Sequence, residues 1–466
     1  MRDIALSLVV AALLLITFRH PVVGAYLWAW LSLMNPHKLT YGFAHDFQFA
    51  AVAAVTTLTV LLLTRKRQAI PLNGITVLLV LMFVWMSITS LFAMAPQQTV
   101  IDRWIFVLKI QAMLFVTWML VIDAKQLRIL VWIVTFSVAV FGIKGGIWTV
   151  ATGGGSRVWG PPGGMLEGNN ELAVGLVILM PMLYFLRVTE KRVWLRQVLL
   201  FCMGCCPFSI LGSQSRGALV ALLAMAFFLG LKGKYPVRTS LMLGIFVAMA
   251  IAFMPDTWVQ RMDTIRTFQQ DDSALSRIWT WTTLWNAAVD NPILGVGFAA
   301  DNAAVFAKYA SLEGPYAIFK GRVYVAHSIY FQMAGEHGFV GLAIFLGLGL
   351  VTWFSAGRIA KQTKEDKELG PWMPTLMYMS QVSLIGYAAG GAFLSLAYLD
   401  LPYYIVGFVV TSGLIAKRRA LELKKVAATS NLEEPATSTG QRNPLPGLAS
   451  AGAGSLASSL SGPRGK

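Results

Sequence analysis

The sequence predicts an all-α polytopic membrane protein with about 12 transmembrane helices and one large helical loop on the outer face. Two observations carry the prediction. The 466 residues are 56% hydrophobic and 13% charged, with a mean hydropathy of +0.63, against about 25% charged in an ordinary soluble domain. Apolar runs near the roughly 20 residues that a spanning helix needs recur along almost the whole chain. A soluble enzyme and a secreted disulfide scaffold are both excluded.

The runs fall at 3–18, 22–34, 47–64, 74–94, 104–122, 127–150, 171–188, 194–212, 217–232, 239–254, 327–355, 372–397 and 401–416. The first two are short and separated only by Arg19-His20-Pro21, so they form one broken element or a short hairpin. That leaves twelve spans with both ends cytoplasmic, or 13 with the N-terminus outside. The first run resembles a signal peptide but has no small-x-small cleavage site, and it reads as a retained membrane segment.

Charge orients the chain. Arg65-Lys66-Arg67, Lys125/Arg128, Lys191-Arg192, Lys232/Lys234/Arg238, Arg358/Lys361/Lys364 and Lys417-Arg418-Arg419 occupy every second loop. These loops are cytoplasmic by the positive-inside rule. The loops at 95–102, 152–170, 213–216, 255–326 and 398–400 therefore face outward. Residues 1–420 form the bundle, including the outer loop 255–326, and 421–466 read as a disordered cytoplasmic tail without periodicity. Within the outer loop, SALSRIWTWTTLWNAAVDN has apolar residues at helical spacing.

The net charge of +16 does not imply a nucleic-acid partner, because much of it lies in short orienting loops and the tail. Cys202, Cys205 and Cys206 share one apolar run with no His or acid beside them, and read as core residues.

The informative charges are the few that oppose the orientation bias. Arg216 opens a span at its outer end, Arg277 lies in the long loop, and Arg157 in the Gly-rich outer loop. Each alone fits a snorkelling or solvated arginine. Together on one face they fit a phosphate or pyrophosphate, which guanidinium binds bidentately. Lys144, near the outer end of its apolar run, is a further candidate, ahead of Lys109. His327 stands where the long loop joins a span, and a histidine of ordinary pKa near 6.5 suits proton abstraction. His337, deeper in that span, fits a structural role towards Glu336 or a backbone carbonyl. There is no P-loop, G-x-S-x-G, H-E-x-x-H or D-x-D, and Asp271-Asp272 reads as a loop or cap feature. A phosphate-bearing substrate is thus expected to be neutralised by arginine, with no metal and no cofactor.

HSIYFQMAGEHGFVG fits the His-[Asn/Ser/Gln]-x9-Gly-x-x-Gly pattern, on His327, Ser328, Gly338 and Gly341, and resembles bacterial O-antigen ligases. SRIWTWTTLWNAAVDNPILGVGF resembles the outer loop of the wider ligase and polymerase superfamily, whose arginines match Arg216 and Arg277. The stretches LWAWLSLMNPHKLTYGFAHDFQFA and GIKGGIWTVATGGGSRVWGP are similar to the exosortase-associated O-glycosylation ligase branch. The resemblance runs from residue 1 to about 416. One departure is Gly168, where that branch would have an acid, so the parts of Asn169 and Asn170 stay open.

The resemblance implies an inner-membrane glycosyltransferase acting on the periplasmic face. The donor would be an undecaprenyl-diphosphate-linked glycan, the acceptor a sugar hydroxyl of lipid A–core, and membrane lipids the surroundings. His327 would be the general base, with Arg216 and Arg277 on the diphosphate. Arg157, Lys144 and Asn170 would bind substrate. Inversion at the anomeric carbon is expected. The same donor chemistry also fits an O-antigen polymerase or a protein O-oligosaccharyltransferase. A lipid-linked glycan transporter is a more distant alternative, and it would spread its cations through the bundle.

Overall fold

The computed structural model describes residues 1–232 and 272–433, together with Leu241, Gly244 and Ala248. Among the described residues there is helix and no strand. Met1–Arg419 forms one compact unit and Ala420–Lys466 a second.

The helices follow the apolar runs. They are α1 (Arg2–Arg19), α2 (Val22–Met34), α3 (Phe49–Leu63), α4 (Gly74–Ser90), α5 (Gln97–Leu120) and α6 (Ala124–Ala151). Next come α7 (Asn169–Thr189), α8 (Val193–Gly212) and α9 (Arg216–Lys232). After α10 (Asp272–Asp290) and α11 (Ala303–Tyr309), in the long loop at 255–326, follow α12 (Ile329–Thr363), α13 (Met373–Gly391) and α14 (Asp400–Glu433). Helices α6, α7, α8 and α12 are long and apolar enough to cross a membrane. Shorter apolar helices are α2, α3, α4 and the stretch Arg216–Leu231 of α9. Apart from Leu241, Gly244 and Ala248, the expected span at 239–254 lies outside the described residues, as do residues 255–271 of the long loop and residues 434–466 of the tail.

The first two runs are separate helices that pack on each other, broken at His20 and Pro21. Proline removes a backbone donor and stops a helix from continuing through it. Helix α14 runs to Glu433, beyond the end of its apolar run at 416. Its extension, ALELKKVAATSNLE, opens with strong helix formers, which carry the helix beyond the apolar run.

Helix α7 is central, with α6, α8, α9 and α13 packed around it. It is apolar on every face, as a helix enclosed by others must be, and its first turn is thereby held in place. The three cysteines are buried free thiols on α8. The Cys206 sulfur lies against Gly142 of α6, so these residues serve packing.

Helix α12 is broken at Gly338, whose φ of 69° lies in the left-handed region. The segment after α10 explains the break. Val296 N–H donates to Gly335 O at 2.9 Å and Gly297 N–H to Glu336 O at 2.8 Å. Phe339 N–H in turn donates to Pro292 O at 2.8 Å. The backbone groups released by the kink are thus satisfied by residues 292–297, as buried amides require. A Cβ at Gly338 would stand 2.2 Å from Ile293 O, so the first glycine of the histidine pattern is sterically required.

Candidate active site

Two hydrogen bonds fix the histidine loop from opposite sides. The Trp281 indole N–H donates to Ala326 O at 2.9 Å, and the His327 backbone N–H donates to Ser395 Oγ at 2.7 Å. Trp281 also stacks on Phe331 of α12, with ring centroids 5.4 Å apart. Between these ties His327 sits at a φ of 47°, a left-handed conformation uncommon for a non-glycine residue. Arg277 lies one turn before Trp281 on the same face of α10. Its charge consequently reaches His327, and it reaches Glu171 as well. Burial first, and then the Arg277 charge, pull the His327 imidazole down to about 4. The ring is therefore neutral at neutral pH.

Arg216 is set by the turn between α8 and α9. Ser215 caps α9, its Oγ accepting from Ala218 N–H at 3.3 Å, which leaves Arg216 in the first turn. The buried Asn169 closes the turn from α7, its Nδ2 donating to Ser213 O at 2.7 Å. Arg157 Nε donates to Gln214 Oε1 at 3.3 Å. Gly217 lies close on Phe393, where an added Cβ would be 2.8 Å from the phenylalanine Cβ. The stretch Phe393–Ser395 thus touches the Arg216 turn at one end and holds His327 at the other.

A cavity of about 440 Å³ opens beside this loop. Its lining includes Arg103 of α5, Glu171 of α7, Asp301, Glu336 of α12, Ser395 and Tyr398. Burial pushes the Asp301 carboxyl above the usual range, opposed by its own backbone hydrogen bond and the Arg103 charge. Glu336 is fixed from two directions: its Oε1 accepts from Ala299 N–H at 3.1 Å, and its Oε2 accepts from the Tyr398 hydroxyl. His337 bridges Thr89 Oγ1 at 2.7 Å and the Tyr398 hydroxyl at 2.8 Å. It therefore reaches Glu336 through Tyr398. Carboxylates with tyrosine and serine hydroxyls form a polar pocket suited to a polyhydroxylated ligand.

The other sequence candidates sit elsewhere. Lys144 and Arg157 line a separate cavity of about 650 Å³ between α6 and the Gly-rich loop. Asn170 is half-buried in the first turn of α7, and the bond to the α8–α9 turn comes from Asn169. The geometry therefore joins His327 with Arg277 and hangs Arg216 on the same 393–395 stretch, while Lys144 and Arg157 line another cavity, from which Arg157 touches the Arg216 turn through Gln214.

Residues 198–346 match the family model described as O-antigen ligase. The matched segment holds Arg216, Arg277 and His327. The chain carries a domain of the O-antigen ligase family. That family belongs to a superfamily of glycosyltransferase-like ligases and polymerases, which act on lipid-linked glycans. Residues 1–191 match a family of unknown function, and Lys144, Arg157 and Asn170 fall there. No curated protein matches the chain.

Sequence reasoning missed Arg103, Glu171, Asp301 and Tyr398 of the cavity beside the His327 loop. A signal existed for two of them. Arg103 and Glu171 are ionisable residues at the margins of apolar runs, where such groups default to function.

Proposed function

We propose that the protein is an O-antigen ligase of the bacterial inner membrane, crossing it twelve times with its site on the periplasmic face. It transfers a glycan from undecaprenyl diphosphate to a sugar hydroxyl of lipid A–core. The observation that carries this reading is His327 tied to the Arg277 helix through Ala326 and to Ser395, on a loop that walls a carboxylate-lined cavity.

A neutral imidazole is the form that accepts a proton. His327 takes the proton of the acceptor hydroxyl as that oxygen bonds to the anomeric carbon. The bond from that carbon to the diphosphate oxygen breaks, and its electron pair leaves with undecaprenyl diphosphate. Arg216 and Arg277 hold the diphosphate and stabilise the charge that grows on it. A single displacement of this kind inverts the anomeric configuration. Glu171, Asp301 and Glu336 accept hydrogen bonds from sugar hydroxyls, and Asn170, next to Glu171, contacts the glycan. Arginine supplies the counter-charge, so neither a metal nor a cofactor is invoked.

The experiment is transfer by purified protein from a lipid-linked donor, offered lipid A–core and a Ser/Thr-rich protein in parallel. Product on lipid A–core supports the ligase. Product only on protein would make the chain an O-oligosaccharyltransferase, and only lengthened donor glycan would make it a polymerase.

A further inference from the structure

The second cavity has chemistry opposite to the first. Lys144 and Arg157 both line it, and among its described lining residues there is no carboxylate. Neither cation is neutralised locally. Among the described residues Lys144 has no hydrogen-bond or ion-pair partner, and Arg157 meets only the neutral Gln214. Both side chains are exposed.

The cavity is built by close packing. A Cβ on Gly145 would stand 2.4 Å from both Ser209 Oγ and Val158 Cγ1. The glycine thus lets the loop settle directly on α6 beside Lys144. Val158 N–H donates to Gly212 O at 3.2 Å, which pins the same loop to α8. Arg157 on the loop and Lys144 on α6 are thereby presented to one space.

Position indicates what fills it. Lys144 and Trp148 are one turn apart on one face of α6, and Trp159 faces them from the loop. Both tryptophans are about half exposed, at 51% and 58%. Exposed tryptophan at the end of a membrane helix marks the headgroup level. Lys144 lies about 10 Å from the end of α6 at 1.5 Å per residue, so its stem lies along apolar surface and its ammonium reaches outward. Two unneutralised cations on the outer side also oppose the usual orientation bias, a cost that calls for an anion.

We propose that this cavity binds the phosphate of an anionic lipid headgroup, clasped between Lys144 and Arg157 and flanked by Trp148 and Trp159. Arg157 supplies paired N–H donors and Lys144 a mobile point charge. The acyl chains lie along the apolar flank of α6. The site shares no lining residue with the cavity beside His327, and Arg157 meets the Arg216 turn only through Gln214, so it does not depend on which acceptor that centre uses.

The test is lipid binding by the full-length purified protein in detergent, read by native mass spectrometry. The probes are phosphatidylglycerol, phosphatidylcholine of the same chains, and inorganic phosphate. Phosphatidylglycerol is expected to bind about tenfold or more tightly than either of the others. The double variant K144Q/R157Q is expected to bring it down to the phosphatidylcholine level, while K144R/R157K keeps most of it. K66Q, which removes one charge from an exposed loop between α3 and α4, leaves it unchanged. Both target side chains are exposed, so thermal unfolding should not move. Wild-type phosphatidylglycerol affinity in K144Q/R157Q would overturn the proposal. Inorganic phosphate binding as tightly as the lipid would overturn its lipid part.

Discussion

The indole N–H of Trp281 donates to the carbonyl of Ala326 at 2.9 Å, so α10, which carries Arg277, is tied to the residue before His327. Trp281→Phe keeps an aromatic ring on Phe331 and removes the donor. The loss of one such bond is worth about 1 kcal/mol. Transfer should fall about five- to tenfold at nearly unchanged thermal stability. Ser395→Ala, which frees the His327 N–H, should act in the same direction. Unchanged transfer in both variants would show that these ties do not position the histidine.

The His327 pKa sets the acid limit of the reaction. The ring is held near 4 against an ordinary 6.5, so the neutral form persists as pH falls to about 4 and is lost below it. The acid limb of kcat/KM should therefore lie near pH 4, since that ratio reports the free enzyme. A bound diphosphate offsets the Arg277 charge and favours imidazolium, so the limb of kcat should lie higher. A pH–rate series separates the two, and a kcat/KM limb at 6.5 would contradict this environment for His327.

Asn169, the residue beside the one singled out from sequence, closes the turn that presents Arg216. Asn169→Ala leaves the Ser213 carbonyl buried without this donor, a loss of about 1–3 kcal/mol. The thermal unfolding midpoint should drop, and transfer should drop with it. Asn170→Ala should leave the midpoint where it was.

Gly338→Ala should prevent stable folding. It places a Cβ 2.2 Å from Ile293 O on a residue with a φ of 69°, and backbone strain alone costs about 1–3 kcal/mol. Gly349 of the same helix has open space around it. Gly349→Ala should be neutral or stabilising by up to about 1 kcal/mol. Unfolding curves of the two variants in detergent make the comparison.

Helix order was readable because lipid exposure and burial both demand apolar runs, and α10 because its tryptophans and leucines recur at helical spacing. His327 was readable as a histidine at the head of an apolar run. The cavity was not. Arg103, Glu171, Asp301 and Glu336 come from α5, α7, the outer loop and α12, and each alone reads as a helix-end or buried polar group. Only the docking of residues 292–297 onto the α12 kink brings Asp301 towards Glu336. Lys144 and Arg157 were each visible as an unexpected cation, but their shared cavity depends on the close approach at Gly145.

The central claim is that His327 accepts the acceptor's proton while Arg277 serves the leaving diphosphate. It is tested most directly by transfer from a lipid-linked donor to lipid A–core with purified wild type, His327→Ala and Arg277→Ala, each checked for folding by thermal unfolding. The account predicts product with wild type and essentially none with either folded variant. Wild-type transfer by His327→Ala or by Arg277→Ala would contradict the role given to that residue.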